Sequence, residues 1–311
     1  MQDRRRHQGQ VRAFLQAHFP DRSWELTLPE GSGNETYFAR SPGQATFVKL
    51  GVQAVRYEAI AAIGVTPPVL AAGSLEDGTS IIVQAYIAGR TPTRKDYREQ
   101  LEQFAAIIDK VHHSPALKQV LPQASSDLYS AAGWGALIRL QQKWELYRPL
   151  VPQVAGFIDE SLDDLVEQVK GFQGTGLVAS HNDICNANWL LSEDKSLYLI
   201  DLELSSLDDP AVDIGATLWW YYPPELRPRF LASVGYAHDE AFEKRMRVRM
   251  AMHCLNIILP RAGSFDWFDA ASFAASLADF RASLAGEENP QGYEDSAYLQ
   301  RQEREDKYGS L

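Results

Sequence analysis

Apolar and polar positions divide the chain into two regimes. Between residues 4 and 19, Val11, Phe14, Leu15 and His18 fall at helical spacing, which predicts a short amphipathic helix ending before Pro20. Alternating, β-like runs then follow at 24–28, 35–39, 45–50, 69–72 and 80–85, separated by turn stretches such as EGSGN at 30–34, SPGQ at 41–44 and EDG at 76–78. A single helical pattern, 52–63, sits among them and is stopped by Gly64 and Pro67-Pro68. Five short strands and one helix predict a small α+β lobe.

From Thr93 onward the period changes to 3.6. Leu101, Phe104, Ile107, Ile108 and Val111 share one helical face, and 157–172 repeats the pattern. Short strands are expected at 177–180, 189–191 and 197–200, followed by helices at 211–222, 225–236, 241–257 and 270–284. Beyond Glu287 the chain is polar, and a frayed or loosely docked tail is expected. The organisation expected is a helical lead-in at 1–21, a β-rich lobe at 22–89 and a larger, mainly helical lobe at 90–311, with the change of regime at Ile87-Ala88-Gly89.

With 45% hydrophobic residues the chain can bury a core, and 41 acidic against 30 basic side chains leave a formal charge of −11. That balance disfavours a broad nucleic-acid-binding face and makes a cationic small molecule the better expected partner. The acid is concentrated: residues 151–220 hold thirteen Asp and Glu against only Lys170 and Lys195. Cys185 and Cys254 cannot build a disulfide framework, which fits a reducing, cytoplasmic setting. No apolar run has membrane-spanning or secretory-signal character, so no membrane partner is expected. Nothing in the pattern bears on oligomeric state.

P-loop, C-x-x-C, H-E-x-x-H and G-x-S-x-G motifs are all absent. Present instead is HNDICNAN at 181–188, an H-x-D-x-x-x-x-N spacing directly after an expected buried strand. Asp201 follows thirteen positions after Asn188, closing the apolar run LYLI. Phosphoryl transfer uses such a set: one Asp to orient an acceptor hydroxyl and take its proton, and an Asn and a second Asp to hold Mg²⁺ on nucleotide phosphates. Asp183, Asn188 and Asp201 suit these roles, although the same residue types also form turns. His181 suits bracing of the loop through backbone hydrogen bonds better than proton transfer. In the small lobe, the loop bearing Gly31, Ser32, Gly33 and Asn34 can bring backbone N–H groups close to phosphate. Lys49 sits within an expected strand and Glu58 on the helix after it, an ion pair that would aim the lysine at the α/β-phosphates; the alternative is an outward-pointing edge-strand lysine.

In these residues the chain resembles the aminoglycoside phosphotransferase and choline kinase superfamily. HNDICNANWLL followed by LYLIDLELSSLDDPAVDIG is most similar to choline and ethanolamine kinases, and EGSGNETY matches the family loop at Gly31, Asn34 and Tyr37. The resemblance implies a two-lobed, protein-kinase-like α+β fold and a small-molecule kinase using ATP and Mg²⁺. It further implies Asp183 as catalytic base, Asn188 and Asp201 as metal ligands, Glu203 as a further acid near the metal and Asp213 as a brace for the catalytic loop. Gln84-Ala85-Tyr86-Ile87 would be the hinge that meets adenine. Departures are the nine-residue spacing from Lys49 to Glu58, Cys185-Asn186-Ala187 where His, Pro and Gly are common, and Leu202 where choline kinases carry an aromatic residue.

The implied acceptor is a small hydroxyl compound of cationic type: choline or ethanolamine, thiamine, or an aminoglycoside. Trp219 and Trp220, in the densest aromatic run, are candidates for cation–π contact, with Asp208, Asp209 and Glu225 as nearby acids; core packing is the competing role for the aromatics. The alternative function is a catalytically inactive nucleotide-binding module of the same fold. A protein kinase is disfavoured, since Asp201 opens no D-F-G and no A-P-E follows.

Overall fold

Strand alternation in the small lobe decides which residues reach the cleft. The computed structural model describes residues 7–29, 35–236, 239–259, 269, 273–274 and 276–294. After helix α1 (Gln8–His18) come β1 (Glu25–Thr27), β2 (Thr36–Ser41), β3 (Gln44–Leu50), helix α2 (Ala54–Ala62), β4 (Val69–Ser74) and β5 (Ser80–Ala85). The five strands form one antiparallel sheet in the order β1-β2-β3-β5-β4. On β3, Thr46, Val48 and Leu50 are buried; Val48 and Leu50 join Val11 and Leu15 of α1, Trp24, Tyr37, Ile81 and Val83 in a small core. Successive side chains point to opposite faces, so Phe47 and Lys49 face away from that core. Register puts Phe38 opposite Phe47 and Thr36 opposite Lys49.

The larger lobe begins with β6 (Gly89–Arg90) and α3 (Arg94–Glu99), whose start is fixed by a Thr93–Asp96 capping box and by Arg90 gripping both carboxylate oxygens of Asp96 at 2.6 and 2.9 Å. Then follow α4 (Leu101–His112), α5 (Pro115–Val120), α6 (Tyr129–Tyr147), α7 (Pro152–Lys170), β7 (Val178–Ser180), β8 (Trp189–Ser192), β9 (Leu197–Leu199), β10 (Ser206–Asp208), α8 (Ala211–Tyr221), α9 (Arg227–Ser233), α10 (Glu240–Ile258) and α11 (Ala278–Ala285). β6, β8 and β9 form one small sheet, and β7 and β10 pair in another that brackets residues 181–205. The large core runs from Phe104 and Trp189 through Trp144 and Leu165 to Cys254, and also takes in Tyr57 and Ile60 of α2.

Several elements depart from the sequence reading, and β6, α5 and β10 have no counterpart in it. α6 lacks a clean stripe because its apolar residues lie on both sides: Leu137, Leu140 and Trp144 are buried while Trp134 and Leu146 are exposed. The helix expected at 225–236 is shorter, a 3₁₀ turn at Pro224–Leu226 leading into α9. The first part of the helix expected at 270–284 falls largely outside the described residues.

Two contacts in this framework have measurable consequences. A Cβ at Gly89 would meet the Leu191 carbonyl oxygen at 2.5 Å, where β6 pairs edge to edge with β8 at the lobe junction. Gly89→Ala is therefore expected to cost about 1–3 kcal/mol by overpacking, read as a lower urea midpoint at unchanged slope; an unchanged midpoint refutes the close fit. At the other end of the small lobe, buried His7 places Nδ1 2.6 Å from Glu35 Oε2 and Nε2 2.9 Å from Asp77 Oδ2. The Glu35 hydrogen bond, with Asp77 adding to it, raises the imidazole above its ordinary 6.5 despite burial. This stabilisation is fully present below 6.5 and is lost as pH rises through the raised value. His7→Gln should therefore lower the unfolding midpoint near pH 6 and scarcely change it near pH 9; equal losses at both would contradict the bridge.

Candidate active site

The cleft between the lobes is crossed by Lys49. Its Nζ donates to Tyr57 Oη at 3.0 Å, Asp201 Oδ1 at 3.2 Å and Glu203 Oε1 at 3.2 Å, joining strand β3 and helix α2 to the loop after β9. Burial disfavours the ammonium, but Tyr57, Glu203 and Asp201 more than offset this and raise the lysine above its ordinary pKa. Of the two acids, Asp201 is held below its ordinary value, chiefly by a hydrogen bond from Glu203. Glu203 is raised, chiefly by burial and then by that same bond. The Lys49–Glu58 pair expected from sequence is not formed: Glu58 is on the exposed side of α2, while its neighbour Tyr57 points inward.

Residues 181–188 leave β7 as a tight loop ending in a 3₁₀ turn at Asn186–Asn188. Asn188 is buried and donates Nδ2 to both the carbonyl oxygen and Oδ2 of Asp183, each at 2.9 Å. His181 donates Nε2 to the Ile200 carbonyl at 2.9 Å, tying the loop to the residue before Asp201. Asn182 (φ 63°) and Asp201 (φ 66°) both adopt left-handed backbone, a strained conformation that Asn and Asp tolerate best. Asn182 is anchored by donating Nδ2 to Leu204 O at 3.2 Å and Ser206 Oγ at 2.8 Å. Burial pushes the Cys185 thiol up to about 12, so it stays protonated at neutral pH.

Behind this loop Asp213, fully buried at the start of α8, accepts from His181 N at 2.7 Å, Asn182 N at 2.8 Å and His112 Nε2 at 3.0 Å. Burial alone would raise its carboxyl; the His112 bond first, and the groups around His181, hold it below the ordinary value. His112 in turn meets the Tyr236 hydroxyl at 3.0 Å. Nothing local in the sequence marks His112, which is 101 residues from its partner.

On the Lys49 side of the sheet, Phe38, Phe47 and Tyr86 cluster with ring centroids 5.0–5.9 Å apart, leaving Tyr86 42% exposed. Gln84 lies opposite Phe47 and donates Nε2 to the Pro67 carbonyl at 3.0 Å. Gly31, Ser32, Gly33 and Asn34 lie outside the described residues.

The expected acceptor residues do not converge here. Asp208 is buried and gripped by Arg249 Nη2 at 2.8 Å, and Asp209 by Arg245 Nε at 2.8 Å, so neither carboxylate is available to a cationic ligand. Glu225 is exposed on the turn before α9. Consecutive helical residues diverge by about 100°: Trp220 is buried in the core, whereas Trp219 lines a cavity of about 540 Å³ among α8, α9, α10 and α11. Asp183, Asn188 and Asp201 are not among that cavity's walls.

The same architecture recurs in solved proteins. The AMP-bound spectinomycin phosphotransferase is 14% identical, with 90% of this chain and 99% of that chain covered and a TM-score of 0.62. A choline/ethanolamine kinase family protein from Mesorhizobium loti is 19% identical, with 89% and 98% covered and a TM-score of 0.62. Choline kinase LicA from Streptococcus pneumoniae is 16% identical, with 90% and 99% covered and a TM-score of 0.58. At these identities the likeness establishes the α+β, protein-kinase-like fold. Family membership rests on sequence: the model of the phosphotransferase enzyme family matches residues 19–250, a stretch that contains Lys49, the 181–188 loop, Asp201 and Asp213, and the chain belongs to that family.

Proposed function

We propose that this phosphotransferase moves the γ-phosphoryl group of ATP, with Mg²⁺, to the hydroxyl of a small cationic molecule. The observation that carries the reading is the bridge from Lys49 on β3 to Asp201 and Glu203, beside the Asp183–Asn188 pair. It collects from two lobes the cation, base and oxygen ligands that phosphoryl transfer requires. The division into a nucleotide-binding lobe at 22–89 and a catalytic lobe at 90–311 belongs to the same reading.

Asn188 offers a side-chain carbonyl and Asp201 a half-exposed carboxylate, hard oxygen donors suited to Mg²⁺. Among the described residues no group of three or more His, Cys, Asp or Glu is set to hold a metal alone; a Mg²⁺ ion bound through one or two protein oxygens and nucleotide phosphates needs none. Bound there, the ion would offset charge on the phosphate oxygens. Phe38, Phe47 and Tyr86 present a stacking surface for the base, and Gln84-Ala85-Tyr86-Ile87 the adjoining backbone. Lys49 pairs with phosphate oxygens. Asp183 accepts the acceptor's hydroxyl proton as its oxygen bonds to phosphorus and the bond to the departing diphosphate breaks.

The cationic acceptor is supported by fold neighbours named for spectinomycin and for choline. Two cysteines, Cys185 and Cys254, cannot build a disulfide framework, which fits a cytoplasmic setting; among the described residues no helix is long and apolar enough to cross a membrane. An ADP-release screen over choline, ethanolamine, thiamine, aminoglycosides, homoserine and sugar alcohols tests the reading. Turnover confined to cationic alcohols is expected. Turnover confined to neutral ones overturns the acceptor class, and no magnesium-dependent turnover across the panel favours an inactive module.

A further inference from the structure

Helix α2 meets the cleft with a phenol where a carboxylate was expected. Tyr57 is 1% exposed, and its hydroxyl is the junction of three bonds: it accepts from Lys49 Nζ at 3.0 Å, donates to Glu203 Oε1 at 2.7 Å, and has the Leu202 amide at 3.4 Å. The preceding residue, Arg56, donates Nη1 to the carbonyl oxygens of Leu202 and Glu203 at 3.0 Å each, so α2 is clamped to the backbone that follows Asp201. Glu58, one position on, is turned to solvent. The azimuth of α2 is set by Tyr57 and Ile60, both in the large core.

We propose that Tyr57 is a positioning residue for Lys49: its hydroxyl aims the ammonium at the nucleotide phosphates, doing the work of a helix carboxylate without a negative charge. A neutral acceptor directs an ammonium yet leaves its charge uncancelled, whereas a carboxylate at 3 Å would offset much of it. Asp201 and Glu203 also hold Lys49 in this structure, but Asp201 is a proposed metal partner and Glu203 the further acid expected beside the metal; Tyr57 is the partner that remains when Lys49 turns to phosphate. The inference rests on the proposed role of Lys49.

The test is a double-mutant cycle on the full chain: wild type, Tyr57→Phe, Lys49→Ala and the double variant. Two quantities are read: the dissociation constant of ATP in EDTA, by calorimetry, and kcat/KM with magnesium on an acceptor from the screen. Lys49→Ala should weaken both, and if it weakens neither the lysine's role fails independently of Tyr57. Given that loss, Tyr57→Phe should cost about ten- to a hundredfold in kcat/KM, the range for a hydrogen bond to a charged group, with weaker ATP binding. It should cost nothing further on top of Lys49→Ala, an outcome that a merely structural tyrosine does not produce. Additive losses, or a Tyr57→Phe enzyme with wild-type values, overturn the proposal. Phe keeps the buried ring; if that variant nevertheless unfolds, Tyr57→Met carries the same cycle.

Discussion

Asp183→Asn is expected to lower kcat by about 10²–10⁴-fold, the usual contribution of a positioned general base, while ATP binds as tightly as before. The geometry separates the two effects. Asn188 occupies Asp183 Oδ2 and its carbonyl oxygen, so the other carboxylate oxygen is the one presented to an acceptor hydroxyl. Lys49 and Asp201, the proposed phosphate and metal partners, bond to each other rather than to Asp183. An amide at 183 keeps the shape of the loop but has no basic oxygen with which to take the proton. The check is ADP release with a saturating acceptor, alongside calorimetric titration of ATP into the variant; full turnover removes Asp183 from the mechanism, and loss of ATP affinity in equal measure makes it a binding residue instead.

The second large effect is on stability. Asp213→Ala should lower the unfolding free energy by about 3–5 kcal/mol, since each buried donor left without its partner costs about 1–3 kcal/mol and three are stranded. Deletion strands the amides of His181 and Asn182 and the imidazole of His112, all bonded to this one carboxylate and His112 wholly buried. Because the folded carboxyl titrates below its ordinary 3.8, its contribution is complete above that pH and is lost as pH falls through the depressed value. The wild type should therefore lose more stability than the variant as the pH is taken below about 4. Urea unfolding at neutral and acidic pH measures both. A neutral-pH loss under about 1 kcal/mol, within reach of an ordinary surface change, would show that the brace carries no load.

How far the site was legible follows from where each interaction lies along the chain. Asp183 and Asn188 are five residues apart, and the hydrogen bonds between them are nearly local; Asp201 closes a strand whose apolar run advertises itself. Strand alternation likewise brought Lys49 to a cleft-facing position. Glu58 was misread as its partner because a nine-residue helix with apolar residues on several sides does not declare which side faces in. Of the two cation–π candidates, Trp220 takes the competing role of core packing, while Trp219, about 100° further round the helix, lines a cavity away from Asp183. Asp208 and Asp209 looked like free acids only because Arg249 and Arg245 are 41 and 36 residues away. The helix α6 left no stripe to read, since its exposed face is also apolar.

The sequence by itself therefore determined the reaction class, the 181–188 loop now proposed for catalysis, the two-regime α+β organisation and the lysine strand, which are legible from backbone periodicity and from neighbours within one loop. Tertiary structure alone decided that Tyr57 and not Glu58 meets Lys49, that Asp213 is tied to His112, and that Asp208 and Asp209 are paired with Arg249 and Arg245. These outcomes depend on how each helix is rotated about its axis, and that rotation is set by burying its apolar face against distant elements. A charged side chain drawn into such a contact must find whatever opposite charge or donor the packing supplies.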